Sequence, residues 1–247
     1  MSPVIDGLRL FTQVEPRPGS RTAGDAGNSA AVNGSAAVCY MAGVTAQMKE
    51  DVMYSTLLAQ VEADTMYPGR SMDERLQWHS KYWAVLRSLG WTTRTFSEVE
   101  IDNASAYGSV DRLVVQISGA ELEGSEYNMF LDMIDALRGP VNSEPLSVFD
   151  RTAVHDGHDA SFQIGVVSNL DGNALFKCGA HQYHTAPDTP ISSALLFSFE
   201  AESETEVPYY AVNQTMELNV SFYATVRDTV KEQLAGVVQN MFRDIEM

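Results

Sequence analysis

The stretch 161-SFQIGVVSNLDGNALFKCGAHQYH-184 decides the architecture. Two runs rich in Phe, Ile, Val and Leu, 161–169 and 174–184, flank an Asp171-Gly172 dipeptide. Asp-Gly between such runs is a strong local signal for a tight hairpin, because both central residues of the favoured turn need positive φ. Downstream, SALLFSFE (193–200) and VPYYAVNQTMELN (207–219) read as two more strands of an antiparallel meander. Gly179 suggests a bulge, and Pro208 a strand start.

Upstream, the period changes from two to nearly four. TAQMKEDVMYSTLLAQVEADT, from Thr45, places Met48, Val52, Leu58 and Val61 near one helical face, with Thr45 as the expected cap. Ser71 and Glu74 form a capping-box pattern before a second helix that should end at Gly90. The pair predicts an antiparallel helical hairpin. WTTRTFSEVEI (91–101) alternates as a strand able to join the later sheet. Helices are expected over 109–118 and 125–138, capped by Ser109 and Ser125, with 147–154 ambiguous. A long closing helix is expected over about 220–243, because Phe222, Val226, Val230 and Leu234 share a stripe.

Helices before 140 and strands after 160 predict an α+β fold: a helical hairpin and further helices packed on a C-terminal antiparallel meander, with a long C-terminal helix. Residues 1–40 read as a mostly disordered leader, since 15–37 is dominated by Gly, Ser, Ala, Pro and Asn. Residues 41–247 read as one domain: a helical part at about 44–140, a sheet part at about 160–219, then the final helix.

The 247 residues carry 16 Lys and Arg against 33 Asp and Glu, a formal charge of −17. Phosphate recognition needs clustered cations, so nucleic acid is not an expected partner. No basic-then-apolar export signal is apparent, which suggests a cytoplasmic protein, with non-classical export open. Two cysteines do not make a disulfide framework.

Chemistry concentrates in KCGAHQYH (177–184). Cys178, His181 and His184 resemble a metal triad, but strand alternation sends Cys178 and His181 to opposite faces. Cys178 and His184 share a face about 20 Å apart. No metal site is expected. HDGHD (155–159) reads as a turn. As a nucleophile, Cys178 would need His181, His184 or His155 as its base. The chain has no nucleophile elbow, P-loop, dinucleotide fingerprint or zincin motif. Cys39, in AAVCYMAG, is the other thiol. Trp78, Tyr82 and Trp83 read as hairpin packing or as a wall of an apolar-ligand pocket.

The runs FQIGVVSNLDGNALFKCGAHQYH, SALLFSFE and TMELNVSFYATVRDTVKEQL, with VMYSTLLAQVEAD and YWAVLRSLGW, resemble a family found in fungi and bacteria. They are also similar to the Evf-type virulence factors of insect-gut bacteria. That resemblance implies an α/β protein bearing a palmitoyl group on a cysteine, with Cys178 as the matching position. The Gly/Ser/Ala-rich leader and the acidic excess depart from it. Three functions are therefore carried forward. The first is a non-enzymatic virulence- or toxin-associated protein acting at membranes or on lipids, through an S-acylated Cys178 whose fatty acid is the sole cofactor. The others are a Cys/His hydrolase or acyltransferase, and a small apolar-ligand-binding module.

Overall fold

The computed structural model describes residues 27–68, 74–199 and 206–247. The elements, in chain order, are β1 (Ser29–Asn33), β2 (Ala36–Tyr40), α1 (Ala46–Met66), α2 (Arg75–Ser88), β3 (Trp91–Ile101), α3 (Val110–Ile117), α4 (Gly124–Leu137), α5 (Ser143–Ala153), β4 (Val154–His155), β5 (Asp159–Leu170), β6 (Asn173–His184), β7 (Tyr209–Leu218), α6 (Val220–Tyr223), α7 (Arg227–Leu234), α8 (Val238–Met241) and β8 (Phe242–Ile245).

One sheet runs β3-β7-β6-β5-β2-β1-β8, with β4 on β5. All pairings are antiparallel except β2 with β5. Alternation then sorts the side chains into two cores. Val32, Cys39, Phe162, Ile164 and Tyr209 meet α3, α4 and α5 on one face. Val38, Phe176, Cys178, Met216 and Leu218 meet α1, α2 and α7 on the other. The fold is α+β, with the sheet as its central layer rather than a C-terminal one.

Several local rules hold. Thr45 Oγ1 accepts from the Met48 N–H at 3.1 Å and starts α1. Asp171 (φ 51) and Gly172 (φ 89) make the β5–β6 turn. Gly90, at φ 95, ends α2, and the Phe222 ring lies 2.6 Å from where a Cβ there would sit. The strand at 91–101 does join the sheet, on β7. The Ser71 half of the capping box lies outside the described residues; α2 is capped at Glu74. Ser125 sits inside the first turn of α4, whose cap is Glu123, and the ambiguous 147–154 is mostly helix.

Four expectations are corrected. The disordered leader does not extend to residue 40: 29–40 is a strand hairpin, buried almost throughout. A strand covered on both faces shows no polar alternation, and its alanines are small because helices press on both sides. The long closing helix is instead three short helices and a strand. The chain turns at Thr225–Val226, bonded to Phe222 and Tyr223 carbonyls three residues back. Breaking the helix lets 242–245 reach β1. The described part of SALLFSFE, residues 193–199, is not a strand: among those residues only Ser198 bridges, to Ser109. Its partner edge is taken, because β7 already lies between β6 and β3. Gly179 makes no bulge, since the register through β6 is continuous on both sides.

Candidate functional site

The alternation argument holds for KCGAHQYH. Cys178 belongs to the α1–α2 core. His181 points the other way, stacked on Phe162 with ring centroids 5.3 Å apart. His184 lies at the strand end, its Nδ1 3.0 Å from Asp159 Oδ1. His155 pairs in register with Asp159 across a turn at Asp156 and Gly157. Cys178 and the three histidines are therefore not assembled. No three His, Cys, Asp or Glu side chains among the described residues are placed to share a metal ion.

Cys178 is 4 % exposed. Burial pushes its thiol well above the usual range, opposed by a backbone hydrogen bond at Ile164. The cavity touching it is about 10 Å³, room for one water, whereas small-molecule sites run roughly 300–1,000 Å³. The closed fold offers no space there for an acyl chain. Cys39 is equally sealed, its Sγ 3.4 Å from the Met129 carbonyl and from Met133 Sδ. Trp78 and Tyr82 are buried and stacked at 5.3 Å, Trp78 bonded to Asp64 on α1 and Tyr82 to Gln163 on β5.

The structure instead gathers a polar chain that sequence reading missed. Ser118 Oγ lies 2.8 Å from His181 Nε2, and Tyr209 Oη lies 2.8 Å from His181 Nδ1. Ser118 also reaches Asn213 Oδ1 at 3.0 Å, and Asn213 Nδ2 donates to the Ile117 carbonyl at 3.0 Å. His181 and Tyr209 are 0 % and 1 % exposed.

This resembles a serine–histidine pair, but the directions of its bonds oppose that chemistry. The Ile117 carbonyl can only accept, so it fixes the Asn213 amide with Oδ1 toward Ser118. Ser118 must then spend its one proton on Asn213. His181 is left to donate from Nε2 to Ser118 and to accept from Tyr209 at Nδ1. A general base would need a bare nitrogen facing the hydroxyl. Burial lowers the His181 pKa from 6.5 to about 3, so the ring is neutral at ordinary pH. The chain fastens α3 to β6 and β7. Gly179 makes room for it: a Cβ there would collide with Ser118 Oγ and sit 2.6 Å from His181 Nε2. The hydrogen-bonded partners among the four groups lie 28 to 95 residues apart in sequence, so no local motif could reveal them.

The opposite face is joined differently. Asn33 Nδ2 donates to the Met53 carbonyl and Thr56 Oγ1, Ser35 N–H donates to Gln60, Trp91 Nε1 to Ser55, and Tyr82 Oη to Gln163. Yet Asn33 Oδ1, Tyr40 Oη, Gln163 Nε2, Gln214 Oε1 and Tyr223 Oη are buried without a protein hydrogen-bond partner. All five lie on the α1–α2 side of the sheet.

No protein-family model and no curated protein matches the chain. Among solved structures, one described as a delta-endotoxin is similar at 8 % identity over 77 % of this chain and 86 % of its own, with a TM-score of 0.40. The Evf virulence factor is similar at 10 % identity over 85 % and 83 %, with a TM-score of 0.28. The expected Evf likeness is thus present but weak, and neither value carries a functional argument.

Proposed function

We propose that this chain is a non-enzymatic protein of toxin type that acts at membranes by opening its α1–α2 layer away from the sheet. The supporting observation is the asymmetry between the two faces. Each buried polar group without a partner costs about 1–3 kcal/mol, and five of them lie on the α1–α2 side of the sheet. The Ser118–His181–Tyr209 chain on the other face is fully paired. An interface so lined gains less by closing than an apolar one, so this layer is the one built to part. The exposed sheet would present strands of 10 to 12 residues, β3, β5, β6 and β7. About 9–11 residues suffice for a strand to cross a bilayer.

The test is dye release from neutral and from anionic vesicles. An Asn33→Cys/Thr56→Cys protein should be silent when oxidised and active when reduced. No release from either vesicle type by the wild-type chain, or equal release by locked and unlocked protein, removes the proposal.

A further inference from the structure

Three consecutive residues of α1 each hold an ion pair to the C-terminal segment. Lys49 Nζ lies 2.9 Å from Asp244 Oδ1, and Lys231 Nζ lies 2.6 Å from Glu50 Oε2. Arg227 binds Asp51 through both edges, Nε to Oδ1 and Nη2 to Oδ2, each at 2.7 Å. The Asp51 side chain is fully buried. Bidentate geometry and burial make this pair the strong one, since taking away one partner leaves an uncompensated charge. Aromatic rings back the two outer cations: Lys49 over Tyr40 and Phe242, and Lys231 over Tyr54.

The same segment also grips the other helical layer. Arg243 Nε lies 2.6 Å from Glu144 Oε1 on α5. Asn142 donates to the Glu246 carbonyl and accepts its N–H, at 2.9 and 2.8 Å. Arg151 donates to the Asn240 carbonyl. Between these two sets of contacts, β8 pairs with β1 at the sheet edge. Residues 227–246 therefore wrap that edge and join the layer on one face to the layer on the other.

We propose that residues 227–246 are an ionic clasp that holds the α1–α2 layer closed, so that releasing the clasp controls whether this layer opens. The inference rests on the proposed opening of that layer. It explains why a weakly bonded face stays shut: the restraint comes from the edge rather than from the interface. It also gives the break in the expected long C-terminal helix a role, because a continuous helix could not bend round β1. The outer pairs are exposed and screened by salt, whereas the buried Asp51–Arg227 pair is not.

Hydrogen exchange on the full chain without membranes tests the clasp apart from membrane action. Arg227→Gln should raise exchange across 46–66 by about tenfold or more while 110–117, 124–137 and 143–153 keep theirs. Lys231→Glu, which alters an exposed pair and so spares folding, should give a smaller rise at the same sites. Adding Glu50→Lys should restore protection by reversing the pair. Unchanged exchange in α1 for both variants, or an equal rise in both helical layers, overturns the clasp. Selective opening of α1 combined with no dye release under any condition would leave the clasp standing and remove the membrane function alone.

Discussion

Ser118 Oγ and His181 Nε2 stand 2.8 Å apart in the interior, with the proton on the histidine side. The separation matches a catalytic pair; the polarity does not. Asn213 consumes the serine proton and Tyr209 supplies the other imidazole bond. Replacing Ser118 by Ala leaves the Nε2–H and Asn213 Oδ1 without partners. The variant should lose about 1–3 kcal/mol in urea unfolding. A serine-directed fluorophosphonate should not label Ser118 in the native wild type.

Acid should loosen the fold through His181. Its folded pKa is about 3 against 6.5 for the free side chain, so below pH 6.5 the unfolded chain binds the extra proton. The stability contributed by the neutral ring is complete above pH 6.5 and is lost as pH falls toward 3, at about 1.4 kcal/mol per unit. The wild type and His181→Gln should therefore differ in the slope of unfolding free energy between pH 6 and about 4, with the variant shallower. Equal slopes would show that the ring is not held neutral.

Gly179→Ala should cost more than an ordinary alanine in a strand, whose glycine it would normally improve. The added methyl meets Ser118 Oγ and His181 Nε2. A loss of about 2 kcal/mol or more is expected. A matched Ser118→Ala/Gly179→Ala double variant should lose less than the two single losses combined, because Ser118→Ala removes the hydroxyl the Gly179→Ala methyl strikes.

Both thiols should be inert in the native state. Cys39 and Cys178 are buried, and desolvation raises both thiols far above the usual range. Native alkylation by iodoacetamide should run at least about a hundredfold slower than in denaturant. Fast native labelling at Cys178 would revive its reading as a nucleophile.

Gln214 places a bare carbonyl oxygen under the α1–α2 layer. Gln214→Met keeps the volume and removes the unpaired group, so stability should rise by about 1 kcal/mol. On the proposed function, vesicle dye release should slow in the same variant. A more stable protein with unchanged release would separate that face from the activity.

Much of the fold is legible in the sequence because its signals are local. Thr45 caps a helix, Gly90 ends one, and Asp171-Gly172 turns a hairpin by the backbone preferences of those few residues. Alternation through 177–184 also separates Cys178 from His181 on the sequence alone. The leader hairpin was within reach: Asn33-Gly34 is a turn signal, and Gly34 takes φ 60. The small side chains around it suggested disorder because nothing local shows that helices will cover both of its faces.

The tertiary structure decided the rest. The run at 193–200 has the composition of a strand, but its described residues 193–199 find the β6 and β7 edges occupied, and a strand exists only with a neighbour to bond. The stripe from Phe222 to Leu234 has helical period, yet the chain breaks it to bring Phe242–Ile245 against β1. The buried chain Tyr209–His181–Ser118–Asn213 and the clasp from Lys49, Glu50 and Asp51 to residues 227–244 link positions 28 to 195 apart in sequence. Their energies depend on distances of about 3 Å and on which atom holds each proton. Periodicity and composition set the elements, but only the packed sheet, with the Ser118–His181–Tyr209 chain paired on one face and five unpartnered polar groups on the other, brings those atoms together.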